Sequence, residues 1–234
     1  MGRIASFHLV RERPGRQLLV LARLATDRRR LVDVDGLLFW RLLGTGRGDR
    51  TSPGADLRRS ALFAVWRDEA SLDRFMNSDP IAARWQHSSE AWHVRLRGLG
   101  GHGSWGGFDV LDGLEVGAAD GAVVILTRAR IRRRSWRSFM RAARSVDQAL
   151  SRAAGLLGVV GIGESPVGRL GTLTVWASLE SAREFARSDA AHGQAVTLAR
   201  SDGWFGEELF ARFEPYGASG SWGGGDPLAA IQDR

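Results

Sequence analysis

The sequence predicts an α+β fold built from two copies of one structural unit. Four landmarks occur in the same order in both halves: an apolar strand that ends in Trp, a Phe, a Ser-Asp pair and a Ser-Trp-Gly-Gly run. In the first half they are 62–66, Phe75, Ser78-Asp79 and 104–107. In the second half they are 173–176, Phe185, Ser188-Asp189 and 221–224. Self-similarity of this kind indicates a duplicated unit.

Within each half, the residue pattern predicts strand, helix, strand, strand, helix and strand. Apolar runs predict the first strands at 4–10 and 123–131, and helical periods follow at 16–31 and 135–153. Strand-like runs at 37–46 and 156–163 lead to the strands that end in Trp. The last strands are expected at 92–96 and 208–213. This order, βαββαβ, is typical of the ferredoxin-like unit.

A single unit of this kind has helices on one face of its sheet, so the other face stays uncovered. Two units in one chain can cover each other, and we therefore predict a dimeric α+β barrel within one chain. We expect an N-terminal unit at 1–112 and a C-terminal unit at 113–234, with the Gly-rich stretch 98–121 as the connector.

The composition excludes several classes of function. Apolar residues make up 44% of the chain, which is enough for a core, and the absence of Cys excludes disulfide frameworks, iron–sulfur clusters and thiolate-bound heme. No apolar run approaches the roughly 20 residues that span a bilayer. The N-terminus has no signal-peptide core, so we expect a cytoplasmic protein.

The formal net charge is +7, and every basic residue is Arg. Because the Arg residues are mixed with 26 acidic residues, we expect no nucleic-acid partner. Two clusters, 28–30 and 130–134, are interpreted as solvated helix ends. The alternative is a patch that rests peripherally on an anionic membrane surface. A homo-oligomer is compatible with the sequence.

The two copies differ most in the helix after the Ser-Asp pair. In the second copy, Asp189 can cap a helix that runs to about Ser201. One stripe of this helix, which we expect to face inward, carries His192, Ala195, Val196 and Ala199. The first copy has Ala82 at the place of His192. From spacing alone a His in the core is the commoner explanation, and a ligand is the other.

Segments around this His resemble a known family. His192, Val196 and the run 203–213 are similar to the C-terminal signature of spheroidene monooxygenase-like proteins. The segments 39–46, 126–132 and 161–166 and the two Ser-Trp-Gly-Gly runs resemble the same family in order, over nearly the whole chain.

The resemblance implies a heme-dependent monooxygenase, an oxidoreductase that acts on an apolar small molecule. In the best-known members a keto group is added to an acyclic carotenoid, with O2 as co-substrate and a ferredoxin-type electron donor. Other heme enzymes with a fused α+β barrel hold their iron through one His on a C-terminal helix. For this chain the resemblance therefore implies heme b bound by His192, and a neutral imidazole is a suitable axial ligand.

Further residues are candidates for the site. Arg128 and Arg212 lie in predicted strands, where either could bind a heme propionate, although an internal pair of Arg212 with Glu208 is the alternative for the second. Trp176 and Trp204 could line a heme or polyene pocket. Because Trp66 repeats Trp176 in the first copy, a core role is the alternative for Trp176.

Catalytic roles are assigned to Glu164 and Arg128. Glu164 follows a predicted strand and could handle protons during oxygen activation, whereas a turn carboxylate that accepts from backbone amides is the alternative. Two other classes of function stay open: a heme enzyme of another kind, such as a dehydratase or an enzyme of nitrogen chemistry, and a cofactor-free binding module with this barrel.

Overall fold

Each half of the chain forms the same succession of strands and helices. The structure, a computed structural model, describes residues 2–46, 54–165 and 167–229, apart from the side chains of residues 21, 190–192, 195, 196 and 200. The first half contains β1 (Ile4–Arg11), α1 (Gln17–Leu31), β2 (Leu37–Gly46), β3 (Ala55–Trp66), α2 (Glu69–Ser78), α3 (Pro80–Trp85) and β4 (Glu90–Gly103). The second half contains β5 (Val123–Ile131), α4 (Trp136–Leu150), β6 (Leu156–Gly163), β7 (Arg169–Trp176), α5 (Leu179–Ser188), α6 (Ala190–Ser201) and β8 (Phe205–Gly220).

The strands close into one barrel in the order β1-β3-β2-β6-β7-β5-β8-β4. The first half contributes β4-β1-β3-β2 and the second contributes β8-β5-β7-β6, so both halves use the same strand order. All strand pairs are antiparallel. The predicted fold class, duplicated ferredoxin-like units that form an α+β barrel, is confirmed.

Two seams join the halves, and they differ in length. Strands β4 and β8 pair from Trp92 with Gly220 to Gly103 with Leu209. Strands β2 and β6 pair, within the described residues, only at Gly44 with Gly163 and Thr45 with Ile162. One seam is therefore a long ladder and the other a short contact near the ends of its strands.

Alternation along the strands separates an inner core from two outer layers. The barrel interior is filled by side chains from all eight strands, including Phe7, Phe63, Val94, Leu126, Leu173 and Phe213. Outside the first half, Trp66 packs with Leu72, Phe75 and Ile81 of the helices. Outside the second half, Trp176 packs with Leu150, Val159 and Ala182. The barrel is thus a solid core, and its helices form a separate layer.

The second helix of each unit is divided in two at the Asp of the Ser-Asp pair, and in the second half the sequence predicts that a helix begins there, at Asp189. Asp79 has an extended backbone, and its side chain accepts a hydrogen bond from the backbone N–H of Ile81. Pro80 takes the first position of α3, because proline has no N–H to continue a preceding helix but fits the first turn of a new one. In the second half Asp189 has the same extended backbone between α5 and α6.

The predicted connector 98–121 is partly strand. β4 continues to Gly103, and its Gly-rich end pairs with β8. A Cβ atom would lie 2.0 Å from the carbonyl oxygen of Phe210 at Gly101, and 2.1 Å from that of Glu208 at Gly103. These glycines allow close approach of two backbones, which composition alone does not distinguish from a flexible linker.

Candidate functional site

The residues singled out in the sequence lie on two faces of the second half-sheet. Arg128 points into the barrel with Val124 and Leu126, as alternation along the strand predicts. Glu164, which follows β6, meets it there. Trp176 points outward into the helix layer instead, and Arg212 points to the same outer face, where its register partner Ile125 packs against that layer. The structure thus brings together Arg128 and Glu164, but it does not bring them to Trp176 or Arg212.

Arg128 is the centre of a buried ionic cluster. The residue is 5% exposed. Its Nε and Nη2 atoms donate to Oε1 of Glu164 at 2.9 and 2.7 Å, and Nη1 donates to Glu207. Hydrogen bonds between ionised partners are stronger than neutral ones, so this guanidinium is held by carboxylates inside the barrel. We call Arg128, Glu164, Glu207, Arg41 and Trp105 the Arg128 cluster.

Trp105 and Arg41 complete the cluster. The fully buried indole of Trp105 donates from Nε1 to Oε1 of Glu164 at 2.9 Å and stacks on Phe63 with ring centroids 5.5 Å apart. Arg41 Nε lies 3.6 Å from Oε2 of Glu164, and its guanidinium carbon lies 4.2 Å from the ring centre of Phe39. Glu164 is therefore held by side chains, and the sequence alternative of a carboxylate bound to turn amides is not what forms.

Glu207 connects the cluster to the loop after β4 through hydrogen bonds. Its Oε1 atom accepts from the backbone N–H of Gly106 at 2.7 Å and of Gly107 at 3.2 Å. Burial alone would raise the pKa of Glu207, but the hydrogen bond and charge of Arg128 and the two amides lower the pKa overall. Burial lowers the pKa of Arg41, and the charge of Glu164 opposes this shift. Two cations thus face two carboxylates.

On the outer face of the sheet, Arg212 has an unusual environment. Its Nε atom is buried and has no hydrogen-bond partner. Arg212 and Glu208 form no ion pair, because four residues along a strand separate their Cα atoms by about 13 Å. A buried donor without an acceptor costs free energy, so this nitrogen suits an anionic or hydrogen-bonding ligand.

The two tryptophans differ in their surroundings. Trp176 lies tilted against Phe185 with centroids 5.5 Å apart, and its Nε1 donates to Thr174 at 2.9 Å. Trp204 is 3% exposed and meets Phe139 edge-on at 6.4 Å. Trp176 occupies the same place as Trp66 of the first half and belongs to the core between helices and sheet. Trp204 follows α6 directly.

Helix α6 forms at Ala190–Ser201, where the sequence predicts a helix after Asp189. It packs against α4 and α5. The side chain of His192, with those of Ala195 and Val196, lies outside the described residues. The inward direction of His192 and its role as a ligand therefore stay predictions.

Comparison with known proteins decides the family. No protein-family model matches the chain. A protein named spheroidene monooxygenase from Rhodobacter capsulatus is 34% identical over 214 residues, which cover 90% of this chain and 89% of the relative. The chain belongs to the spheroidene monooxygenase family. Two further members are similar, from Rubrivivax gelatinosus (34% identical; 81% of this chain and 73% of the relative) and Cereibacter sphaeroides (28% identical; 91% and 66%).

Solved structures share the barrel of this member of the spheroidene monooxygenase family. An aldoxime dehydratase superposes with a TM-score of 0.61 at 12% identity, over 94% of this chain and 82% of that chain. A second aldoxime dehydratase, in complex with butyraldoxime, has a TM-score of 0.61 at 14% identity, over 92% and 80%. At such identities the likeness shows a common fold. Within the described ranges, no helix is long and apolar enough to cross a bilayer.

Sequence reasoning missed a histidine pair on the outer face of the first half-sheet, of which His8 is buried and His93 partly buried. Nδ1 of His8 lies 3.0 Å from Nδ1 of His93, and Nε2 of His8 lies 2.8 Å from Oγ of Ser6. Trp85 stacks on both imidazole rings. Burial lowers the pKa of His8 well below its usual value, with smaller contributions from His93 and Arg95, and burial lowers the pKa of His93 to about 4.

Proposed function

We propose that this chain is a heme-dependent monooxygenase that transfers oxygen from O2 to an apolar polyene of the acyclic carotenoid class. Family membership carries the proposal, since relatives named spheroidene monooxygenase match nearly the whole chain at up to 34% identity. Spheroidene is the compound in the names of those relatives, and for this chain we propose the compound class.

The residues of the second helix layer fit a heme. His192 lies on α6, and the buried Nε of Arg212 lies on the strand face that points toward this layer. A heme propionate would supply the acceptor that this nitrogen lacks. Trp204 and Trp176 offer flat apolar surface. When bound, the heme iron would supply the activation of O2.

Within this proposal the side chains have separate tasks. His192 binds the iron, and Arg212 anchors an anionic edge of the cofactor. Arg128 and Glu164 face the barrel interior, on the other side of the half-sheet from the helix layer, so we propose that they act as positioning residues. Through Glu207 they connect β5, β6 and β8, whose outer faces lie under the helices.

Heme binding is tested by reconstituting the purified protein and recording its absorption spectrum. We expect a Soret band that is lost or strongly weakened in His192→Ala, while far-ultraviolet circular dichroism shows a folded protein. His87 is exposed and serves as the matched control, so His87→Ala should keep the band. An unchanged spectrum in His192→Ala would show that the ligand is another residue.

Oxygen transfer is tested with labelled O2. The reconstituted protein is incubated with an acyclic carotenoid, a chemical reductant and ¹⁸O2, and the product is analysed by mass spectrometry. The proposal requires ¹⁸O in the product and no turnover without reductant. A parallel incubation contains an aldoxime in place of the carotenoid. Dehydration of the aldoxime without consumption of reductant, with no oxygen incorporated into the carotenoid, would place the chain in the dehydratase class instead.

A further inference from the structure

Helix α4 presents a row of arginines to solvent. Arg137, Arg141 and Arg144 are exposed and recur at intervals of four and three residues, which puts them on one face of the helix. Arg133 and Arg134 are also exposed and form the short 3-10 turn that precedes the helix. We call these five residues the α4 arginine strip.

The strip has no compensating carboxylates. No ion pair joins any of its five members to Asp or Glu in the described part of the chain. Many other arginines are paired, such as Arg84 with Asp27 at 2.6 Å and Arg95 with Asp73 at 2.6 Å. The chain therefore has acidic partners for arginines elsewhere, whereas the acidic residue of α4, Asp147, is buried and, among the residues that the structure describes, forms no ion pair with the strip.

The strip also opposes helix stability. The positive end of the helix dipole is at the N-terminus, where acidic residues are favourable and basic ones are not. The first turn of α4 contains no acidic residue, whereas α2 has Glu69 and α5 has Glu180 there. Like charges three or four residues apart repel each other as well. An acidic partner on this face would relieve both effects.

The place of the strip beside α6, and the electrons that the proposed reaction consumes, indicate that the partner is an electron donor. Helix α4 packs against α6, the helix that carries His192, so the strip is one helix layer away from the proposed cofactor. Each oxygen transfer of the proposed function consumes O2, two electrons and two protons, and releases one water for each oxygen atom inserted. The electrons have to come from a separate donor. We infer that the α4 arginine strip is the docking surface of an acidic electron-transfer protein, an inference that rests on the proposed function.

The exposed face of α4 favours a protein over a membrane or a nucleic acid. Ser138 and Ser145 lie beside the arginines, and no large apolar side chain of α4 is exposed that could enter lipid. Trp136 and Phe139 are partly buried, and Phe139 packs against Trp204 rather than offering a free ring for base stacking. The exposed face of α4 therefore offers a partner positive charge without apolar surface, as in protein complexes whose association is steered by electrostatic attraction.

The test measures binding of an oxidised, acidic [2Fe–2S] ferredoxin to the purified protein by calorimetry, at low and at high salt. The strip variant combines Arg137→Gln, Arg141→Gln and Arg144→Gln. The control variant removes the same charge with Arg13→Gln, Arg28→Gln and Arg29→Gln, which are exposed residues of the first half. We expect at least a tenfold loss of affinity in the strip variant, less than a twofold loss in the control, and weaker wild-type binding at high salt.

Equal losses in both variants, an unchanged strip variant, or no binding by the wild type would overturn the inference. So would a selective loss of binding to phosphatidylserine vesicles or to duplex DNA with ferredoxin binding intact. Turnover with a chemical reductant separates the two proposals. If the strip variant oxygenates normally but ferredoxin does not bind the wild type, the docking surface fails alone. If ferredoxin binds at the strip but no oxygen is transferred, the proposed function fails and the docking site is retained.

Discussion

The two halves of the barrel share a backbone but carry different chemistry at equivalent positions. The strand registers make Arg128 the counterpart of Leu9, and Arg41 the counterpart of Val160. On the outer face, His8 has Thr127 as its counterpart. Arg128 and Arg41 therefore stand where the other half has apolar side chains, and His8 stands where it has a threonine.

Other features are held in common. Glu207 accepts hydrogen bonds from Gly106 and Gly107, and Glu90, its counterpart, accepts one from Gly224 at 3.0 Å. Both carboxylates hold the Ser-Trp-Gly-Gly loop of the other half. The loops and their anchors thus belong to the duplicated scaffold, while Arg128 is present in the second copy and not in the first. Residues found in one copy are therefore the better candidates for a functional role.

Of the predicted effects on stability, the largest is expected for the tryptophans of the two Ser-Trp-Gly-Gly loops. Trp105 is fully buried and bonded to Glu164, whereas its counterpart Trp222 is only partly buried. Trp105→Ala should lower the free energy of unfolding by about 4 kcal/mol, as for large aromatic residues in cores. Trp222→Ala should cost about 1–2 kcal/mol, because less of its surface is lost from the core. Urea denaturation measures both, and equal costs would show that the two loops pack alike.

A second prediction replaces Arg128 by the residue of the other half. Arg128→Leu leaves Glu164 and Glu207 in a largely buried site without their cation, which should cost about 3 kcal/mol of unfolding free energy. The double variant with Glu164→Gln should recover part of this loss, since one carboxylate is removed. If the single variant is as stable as the wild type in urea denaturation, the cluster is a solvated contact and not a buried one.

The smallest effect is a pH dependence specific to the first half. His93 has a pKa of about 4 in the folded protein against an ordinary value of 6.5, so the unfolded chain takes up the proton first as the pH falls. Stability from this group is present above pH 6.5 and is lost between there and about 4, by about 2 kcal/mol after allowance for its partial exposure. His93→Gln should flatten that part of the stability curve. A variant with an unchanged pH profile would indicate that other groups cause the loss.

The sequence sufficed for the fold because its signals are local or repeated. Apolar periodicity located the strands and helices, and four duplicated landmarks indicated two units that cover each other. The Asp79-Pro80 break and the strand character of Gly101 depend on capping and on the approach of another strand, which periodicity does not show.

The candidate site was only partly predictable, because its contacts depend on register. His8 and His93 are 85 residues apart and meet through the pairing of β1 with β4. Arg128 and Glu207, 79 residues apart, meet through β5 and β8. Trp105 had a usable signal, since its Ser-Trp-Gly-Gly run occurs twice. The inward position of Arg128 followed from alternation alone, but the carboxylates that hold it did not.

The short seam between β2 and β6 has a consequence for how the barrel opens. Only the pairs at Gly44 and Thr45 join the strands in the described residues, next to the Arg41 contact with Glu164, whereas β4 and β8 form a long ladder. Separating the halves at the short seam breaks few backbone hydrogen bonds, so this is where transient opening is least costly. Deuterium should therefore replace the cross-seam amide protons of β2 and β6 well before those between β4 and β8. The two halves would then separate at β2 and β6 while β4 and β8 stay paired.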